Sequence, residues 1–501
     1  MATRGPVDLL IIGGGINGAG IARDAAGRGL SVVLAEKDDL AQGTSSRSGK
    51  YIHGGLRYLE YYEFRLVREA LTEREVLLKL APHIIWPMRL VLPHSPEQRP
   101  AWLIRLGLFL YDHLGKRETL PGSRRVDLSR GFEGAVIRDE FKTGFEYSDC
   151  WVDDARLVIL NAIDARDRGA EILTRMAAVS ARRENGLWQV DLKGAEGKRR
   201  VTARVVVNAA GPWVKDALGH ISGVNSSRRV RLVKGSHIVV PKFWEGPHAY
   251  LFQNHDKRVI FVNPYQGNLC LIGTTDIPYE GKAEDAAIDE DEIDYLLAAV
   301  NRYCKHSLTR ADIRQGFSGV RPLYDDNAAN PSAVTRDYVF DIDGGEGRPA
   351  LLSIFGGKIT TYRKLAEHAL ARLKPFLPQM SGDWTGSAHL PGGDLKGANG
   401  FGDFILALQQ RYPWADAPLV YHYARLYGGM AFDILGGARS TADLGQHFGA
   451  LLYEREISYL RETEWAQTAE DILERRTKHG LHLKPDEAAA VRAYLRGWND
   501  A

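Results

Sequence analysis

A chain of 501 residues exceeds the size at which one hydrophobic core stops growing, so two or three domains are expected. Hydrophobic residues at 44% and charged residues at 26% exclude disordered and fibrous classes, and a net charge of +2 gives no reason to expect a nucleic-acid partner. Cys150, Cys270 and Cys304 are too scattered for a CxxC metal or redox pair and too few for a disulfide scaffold, which fits a reducing cytosol.

The first residues, Met1 to Asp8, lack the charged, apolar and cleavage regions of a signal peptide, so export is not expected. The apolar run Val7 to Ile12 reads as a buried parallel strand. A helix is predicted over Ile16 to Gly29 and a second buried strand over Ser31 to Ala35, a β-turn-α-β unit that sets the class as α/β. Apolar spacing predicts a further helix from Tyr62 to Leu80, stopping before Ala81-Pro82. The stretch Trp102 to Leu114 is the most apolar, but Arg105 and Asp112 interrupt it, so it does not read as a membrane span. With basic flanks from Arg99 to Arg117 it suits either an interfacial helix or a core helix with solvated ends.

Val201 to Asn208 and Leu351 to Phe355 resemble more parallel strands, each ending at glycine or Ala-Gly, so the first sheet is expected to be assembled discontinuously. Between them, Leu232 to Ile277 alternates in the manner of short antiparallel strands. After Pro391-Gly392-Gly393 the pattern turns helical, with Glu454 to Leu460, Thr468 to Lys478 and a helix start at Pro485. The expected organisation is a discontinuous dinucleotide-binding, Rossmann-type domain (1–80, about 145–225 and 335–380). An antiparallel β substrate or cap domain (about 81–144 and 226–334) and an all-helical C-terminal domain (about 390–501) complete it.

The glycine loop carries the first chemistry. Gly13-Gly14-Gly15-Ile16-Asn17-Gly18 matches G-x-G-x-x-G between a strand and a helix, and Glu36 closes the next strand 18 residues after Gly18. Glycines let the backbone approach a pyrophosphate at a helix N-terminus, and the Glu36 carboxylate accepts from ribose hydroxyls, which describes an ADP-containing dinucleotide. The chain has neither a second such fingerprint nor a redox disulfide, so one bound FAD with an external electron acceptor is the economical reading.

Beyond the loop, Thr44-Ser45-Ser46-Arg47-Ser48-Gly49-Lys50-Tyr51-Ile52-His53-Gly54-Gly55-Leu56-Arg57-Tyr58-Leu59 resembles the aerobic, FAD-dependent glycerol-3-phosphate dehydrogenases. So do Phe145 to Leu157, Asn208 to Trp213, Lys234 to His237, Ile272 to Asp276, Ser318 to Pro322 and Phe355 to Lys364, which together span nearly the whole chain. Gly49 and Tyr51 depart from the family, which has Ser or Thr and Leu at those places.

The resemblance implies FAD, oxidation of sn-glycerol 3-phosphate to dihydroxyacetone phosphate, a respiratory quinone as acceptor and a homodimer. It also implies a cytoplasmic protein attached peripherally to the inner face of the membrane. Cofactor contacts implied are Gly13, Gly15, Asn17, Gly18, Glu36, Thr44, Ser45, Ser46, Lys50, His53, Gly54, Gly55, Leu56, Gly211, Gly357, Lys358 and Thr360.

Oxidising a secondary alcohol needs a hydride acceptor, a base and cations for the phosphate. Arg57, Arg321 and Lys358 are the candidate substrate cradle, His237 the candidate base, and Tyr58 a group that orients the hydroxyl. His237 in an apolar setting reads equally as a core histidine. Cys150 reads as a small buried hydrophobe, and the histidines show no metal-ligand spacing. Two other functions share this pattern: an oxidase passing electrons to oxygen, acting on glycerol 3-phosphate, an amine or an amino acid, and a noncatalytic flavin-binding or tRNA-modifying protein that keeps the fold.

Overall fold

The computed structural model describes residues 5–195, 197–224, 228–256, 258–325, 337–395 and 399–499. The expected segment limits at 225–226 and 334–335, and the stretch Met1 to Arg4, lie outside the described residues.

Val7–Ile12, Val32–Ala35 and Gly197–Asn208 pair in parallel, with Arg348–Gly356 parallel to Gly197–Asn208 on one side and Glu171–Leu173 parallel to Val32–Ala35 on the other. Tyr338–Gly345 closes one edge as an antiparallel hairpin with Arg348–Gly356. The central strands are Val-, Ile- and Leu-rich with both faces covered, the composition that a parallel sheet between helices requires. The sheet is thus made of distant chain segments, with Ile12, Ala35, Asn208 and Gly356 at the ends of four parallel strands.

Helix Ile16–Gly27 lies between this sheet and helices Asp154–Asp167 and Tyr362–Leu373. Its small residues set the approach: a Cβ on Gly20 would lie 2.7 Å from the Tyr362 ring, and one on Gly27 would overlap the Trp384 ring. Helix Asp154–Asp167 starts at Asp153, whose carboxylate accepts from the Arg156 N–H at 3.0 Å.

The second sheet runs Ile277–Pro278, Val230–Pro241, Leu269–Gly273, Val259–Tyr265, Ala249–Gln253, Ile85–His94, Thr143–Val152 and Tyr51–Ile52. Gln315–Tyr324 also pairs Val230–Pro241, and Arg124–Asp127 pairs Thr143–Val152. Its pairs are antiparallel except for Ala249–Gln253 against Ile85–His94. Two strands expected with the nucleotide segments, Tyr51–Ile52 and Thr143–Val152, pair in this sheet instead, because the chain crosses over immediately after the loop that precedes Tyr51. Apolar periodicity alone identifies a strand and not its partner.

From Phe401 onward the chain is helical around Phe404, Leu419, Tyr423, Leu460, Ile472 and Val491. The predicted helix at 468–478 is a π-helical turn, Asp471–Arg476. That turn aims Arg475 and Arg476 together at Asp39, with contacts of 2.7–2.8 Å. The seam between this helical region and the nucleotide-side elements is held by buried charge pairs. Lys478 binds both oxygens of Asp153 at 2.5 and 2.6 Å, Arg156 pairs with Glu464, and Arg175 reaches Asp471 at 2.6 Å.

Candidate active site

The four parallel strand ends open into a cavity of about 960 Å3 lined by both sheets. Ligands in α/β folds bind beyond the carboxyl ends of parallel strands. Here those ends deliver Gly13 and Gly15, Glu36, Ala209 to Gly211, and Gly356 to Lys358.

The residues of the first loop fit a dinucleotide. Gly13 has φ +111°, and a Cβ there would lie 2.6 Å from the Ala209 carbonyl oxygen. A Cβ on Gly18 would collide with the Gly13 carbonyl oxygen at 1.9 Å, so only glycine lets the helix start this close to the strand. Gly15 caps the helix with no side chain of its own, and although the Ile16 N–H donates to the Ser45 hydroxyl at 3.0 Å, the positive end of the helix faces the cavity. Glu36 accepts from the Gly14 N–H at 2.6 Å and the Asp38 N–H at 2.8 Å. Burial pushes its carboxyl up, while those two backbone donors hold it down. Asn17 reaches the Gly356 carbonyl at 3.4 Å, and its own side-chain oxygen is buried without a hydrogen-bond partner. A buried acceptor left open beside a glycine loop is what a bound ligand's donor satisfies.

Of the other residues implied as cofactor contacts, Thr44, Ser45, His53, Gly55, Leu56, Gly211, Gly357, Lys358 and Thr360 line the cavity. Gly18, Ser46, Lys50 and Gly54 do not. Lys50 is instead buried against Asp154 at 2.8 Å and donates to the Ser46 carbonyl at 2.7 Å, because a lone ammonium in that interior needs a carboxylate. Gly54 holds the wall by donating to the Tyr111 hydroxyl at 2.8 Å.

At the second-sheet end of the cavity, His237, Gly273 and Phe261 form one cross-strand row. The His237 ring stacks on Phe317, with centroids 5.0 Å apart, and its other side meets the Gly273 backbone, where a Cβ would lie 2.2 Å from the ring. Both ring nitrogens are buried without hydrogen-bond partners. Burial first, then the charges of Arg321 and Lys50, push its pKa well below the usual imidazole value, so the ring is neutral at physiological pH. His53, nearby, is likewise pushed down to about 3 by burial and by Lys358 and Arg74.

Arg57, Tyr58, Arg321 and Lys358 all line the same cavity, and the Lys358 ammonium lies 3.7 Å from the centroid of the Tyr58 ring. The Arg321 guanidinium is held by Asp276 at 2.9 Å and Thr274 at 3.0 Å. Sequence reasoning gave neither of these a role. Their only signal was membership of the Ile272 to Asp276 block. The two departures from the family pattern are joined as well: the Tyr51 hydroxyl bonds the Asn263 side chain, whose amide donates to the Gly49 carbonyl at 3.1 Å.

Strand ends, a glycine loop and a neutral histidine facing held cations around one cavity define a flavin-dependent oxidoreductase of the discontinuous Rossmann type. Residues 8–363 match the model of the FAD dependent oxidoreductase family, and the chain belongs to that family. FAD is its cofactor. The chain is 65% identical over 492 residues to a D-erythritol 1-phosphate dehydrogenase of Brucella abortus, covering 98% of both chains. It is 53% identical over 490 residues to the aerobic glycerol-3-phosphate dehydrogenase of Escherichia coli, covering 97% of both. A glycerol-3-phosphate dehydrogenase of Bacillus halodurans, solved in complex with FAD, superimposes with a TM-score of 0.77 at 28% identity, covering 99% of this chain and 94% of that one.

Proposed function

We propose that this chain oxidises the secondary alcohol of a short polyol carrying a terminal phosphate, with sn-glycerol 3-phosphate giving dihydroxyacetone phosphate. The observation that carries this reading is the convergence of Arg57, Arg321 and Lys358 with the buried, neutral His237 on one cavity. Bound FAD supplies the acceptor for the hydride equivalent leaving the carbinol carbon. The chain's own residues do the rest. Arg321, with its plane fixed by Asp276 and Thr274, and Arg57 and Lys358 hold the phosphate dianion. A nitrogen of His237 takes the hydroxyl proton once the bound phosphate dianion offsets the Arg321 charge that disfavours its imidazolium, and Tyr58 orients that hydroxyl.

A four-carbon substrate, D-erythritol 1-phosphate, is the second reading, and two observations favour it. The relative with that name is more similar to this chain than the glycerol-3-phosphate dehydrogenase is. Gly49 stands where Ser or Thr is the family pattern, and a Cβ there would sit in ordinary contact with the His237 ring nitrogen, at 3.7 Å, so glycine keeps a side chain from that position beside the base.

Anaerobic mixing of the holoprotein with each phosphate ester tests both readings through loss of the oxidised flavin band. Bleaching by neither ester ends the proposal, and the larger kcat/KM assigns the substrate. Gly49→Ser should shift that ratio toward the three-carbon ester; an unchanged ratio means that Gly49 does not select substrate length.

We extend the reading to a respiratory quinone as acceptor, at the inner face of the cytoplasmic membrane; assembly as a homodimer rests on the family resemblance alone. Among the described residues no helix is long and apolar enough to cross a membrane. Helix Ala101–Leu114 exposes Trp102 (68%), Leu106 (46%) and Phe109 (49%), while its Leu103, Ile104 and Leu110 line the cavity, and Arg99, Lys116 and Arg117 flank it. An apolar surface continuous with the cavity suits an apolar acceptor arriving from lipid. Leu106→Asp with Phe109→Asp should abolish sedimentation with anionic vesicles while flavin content stays constant; undiminished sedimentation excludes this helix.

A further inference from the structure

Away from the cavity, three potential metal ligands of the C-terminal region converge. His422 lies on helix Ala417–Tyr427, Glu456 on helix Glu454–Glu464, and His479 in the turn that follows the π-helical Asp471–Arg476. One ligand atom from each lies within 4.8 Å of the other two. The histidines show no ligand spacing along the chain, so the cluster exists only through folding, and the expectation of no metal site from spacing does not cover it.

The local bonding is incomplete. Glu456 is fully buried; its Oε1 accepts from the Tyr427 hydroxyl at 2.6 Å and meets His422 Nε2 at 2.8 Å. Its Oε2 is buried without a hydrogen-bond partner, and so is Nε2 of His479, a residue 5% exposed. Among the described residues no lysine or arginine pairs with Glu456; its ion-pair contact is to His422. The two imidazole rings lie 4.6 Å apart, inclined at 32°. A buried carboxylate demands a cation or a proton, and nitrogen and oxygen donors left open in the same place point to a metal ion.

We propose that His422, Glu456 and His479 bind a divalent transition ion of the zinc type. Two imidazoles and one carboxylate are the borderline donor set that zinc takes in tetrahedral coordination, with water as the fourth ligand. Coordination would replace the 2.8 Å hydrogen bond between His422 Nε2 and Glu456 Oε1, since both groups would bond the ion instead. The ion neutralises Glu456 and ties together two helices and the turn next to Lys478, which is itself bound to Asp153 across the seam. Its role is to staple the helical region, not to act in the oxidation.

The probe is the metal alone. Tag-free holoprotein, stripped with chelator and dialysed against zinc, should retain about one equivalent per chain by elemental analysis and unfold at a higher temperature than the stripped form. Cobalt added to stripped wild-type protein should give the visible absorption of a four-coordinate ion, a measurement that needs no variant. His422→Gln, at the least buried of the three positions, should lose both signals while keeping its flavin spectrum. Failure of wild-type protein to retain zinc or develop the cobalt spectrum overturns the site, as does undiminished metal in His422→Gln.

Discussion

The seam beneath the helical region and the second-sheet end of the cavity are both rich in buried polar groups, but they treat them in opposite ways. At the seam the buried charges are set against opposites, Asp39 against Arg475 and Arg476, Asp153 against Lys478 and Glu464 against Arg156, and of these groups only single atoms of Glu464, Arg156 and Arg476 lack a hydrogen bond. At the cavity, both nitrogens of His237 and the side-chain oxygen of Asn17 have no protein partner. Burying an unmatched polar group costs free energy, so folding alone gives no reason to keep these. The seam spends its charges on holding the chain together, whereas the cavity keeps its polar atoms for a ligand.

The largest expected effect breaks the matched side. Asp39 is fully buried with two guanidinium groups against it, and Asp39→Ala takes from the buried Arg476 its close carboxylate partner, while Arg475 keeps Asp471. Removing one partner of such a pair costs about 3–5 kcal/mol, which should appear as a large drop in the urea midpoint. A midpoint equal to the parent's would mean that solvent reaches the seam and that its charges are not what holds the helical region in place.

The two sides also differ in how far they could be read from the chain. The nucleotide end was legible because its requirements are local: glycines at 13, 15 and 18, a strand before them, a helix after, and Glu36 at the end of the next strand. Arg57, His237, Arg321 and Lys358 were picked out by the blocks around them, and they do share one cavity. Asp276 and Thr274 were not, since nothing in their spacing says that they hold Arg321. The seam was invisible for the same reason at longer range. Asp39 and Arg476 are 437 residues apart, and no periodicity links a single aspartate to a distant arginine. Lys50 lies outside the cavity lining because a motif position says nothing about which way an ammonium turns, and Asp154 turns it inward.

A second variant acts on the cavity and should spare the fold. Arg321 is partly exposed and its partner Asp276 faces the same open cavity, so Arg321→Ala strands no charge in a dry interior. Losing a charge-assisted contact to phosphate should lower kcat/KM about 100-fold, mostly through KM, with FAD content and the urea midpoint unchanged. Arg321→Lys should recover part of the loss, because charge is kept while the two-pronged geometry is not. Equal loss of flavin and activity in Arg321→Ala would make this arginine structural.

The smallest effect sharpens the comparison at its exception. His83 lies against Gly392 and Gly428 next to the helical region, fully buried, and neither ring nitrogen has a hydrogen-bond partner. Burial first, then the charges of Arg156 and Arg425, push it down to about 3. The unfolded chain, with an ordinary imidazole near 6.5, therefore binds a proton that the folded chain refuses between those two values. Stability is fully present above pH 6.5 and falls as the pH drops below it, by about 1.4 kcal/mol per pH unit from this ring alone. His83→Leu removes the proton-binding group from both states, so the plot of urea-derived stability against pH should flatten by that amount between pH 6 and 4.5. If the two slopes coincide, His83 is protonated in the folded protein, and its surroundings contain a partner or water that makes it part of the matched seam after all.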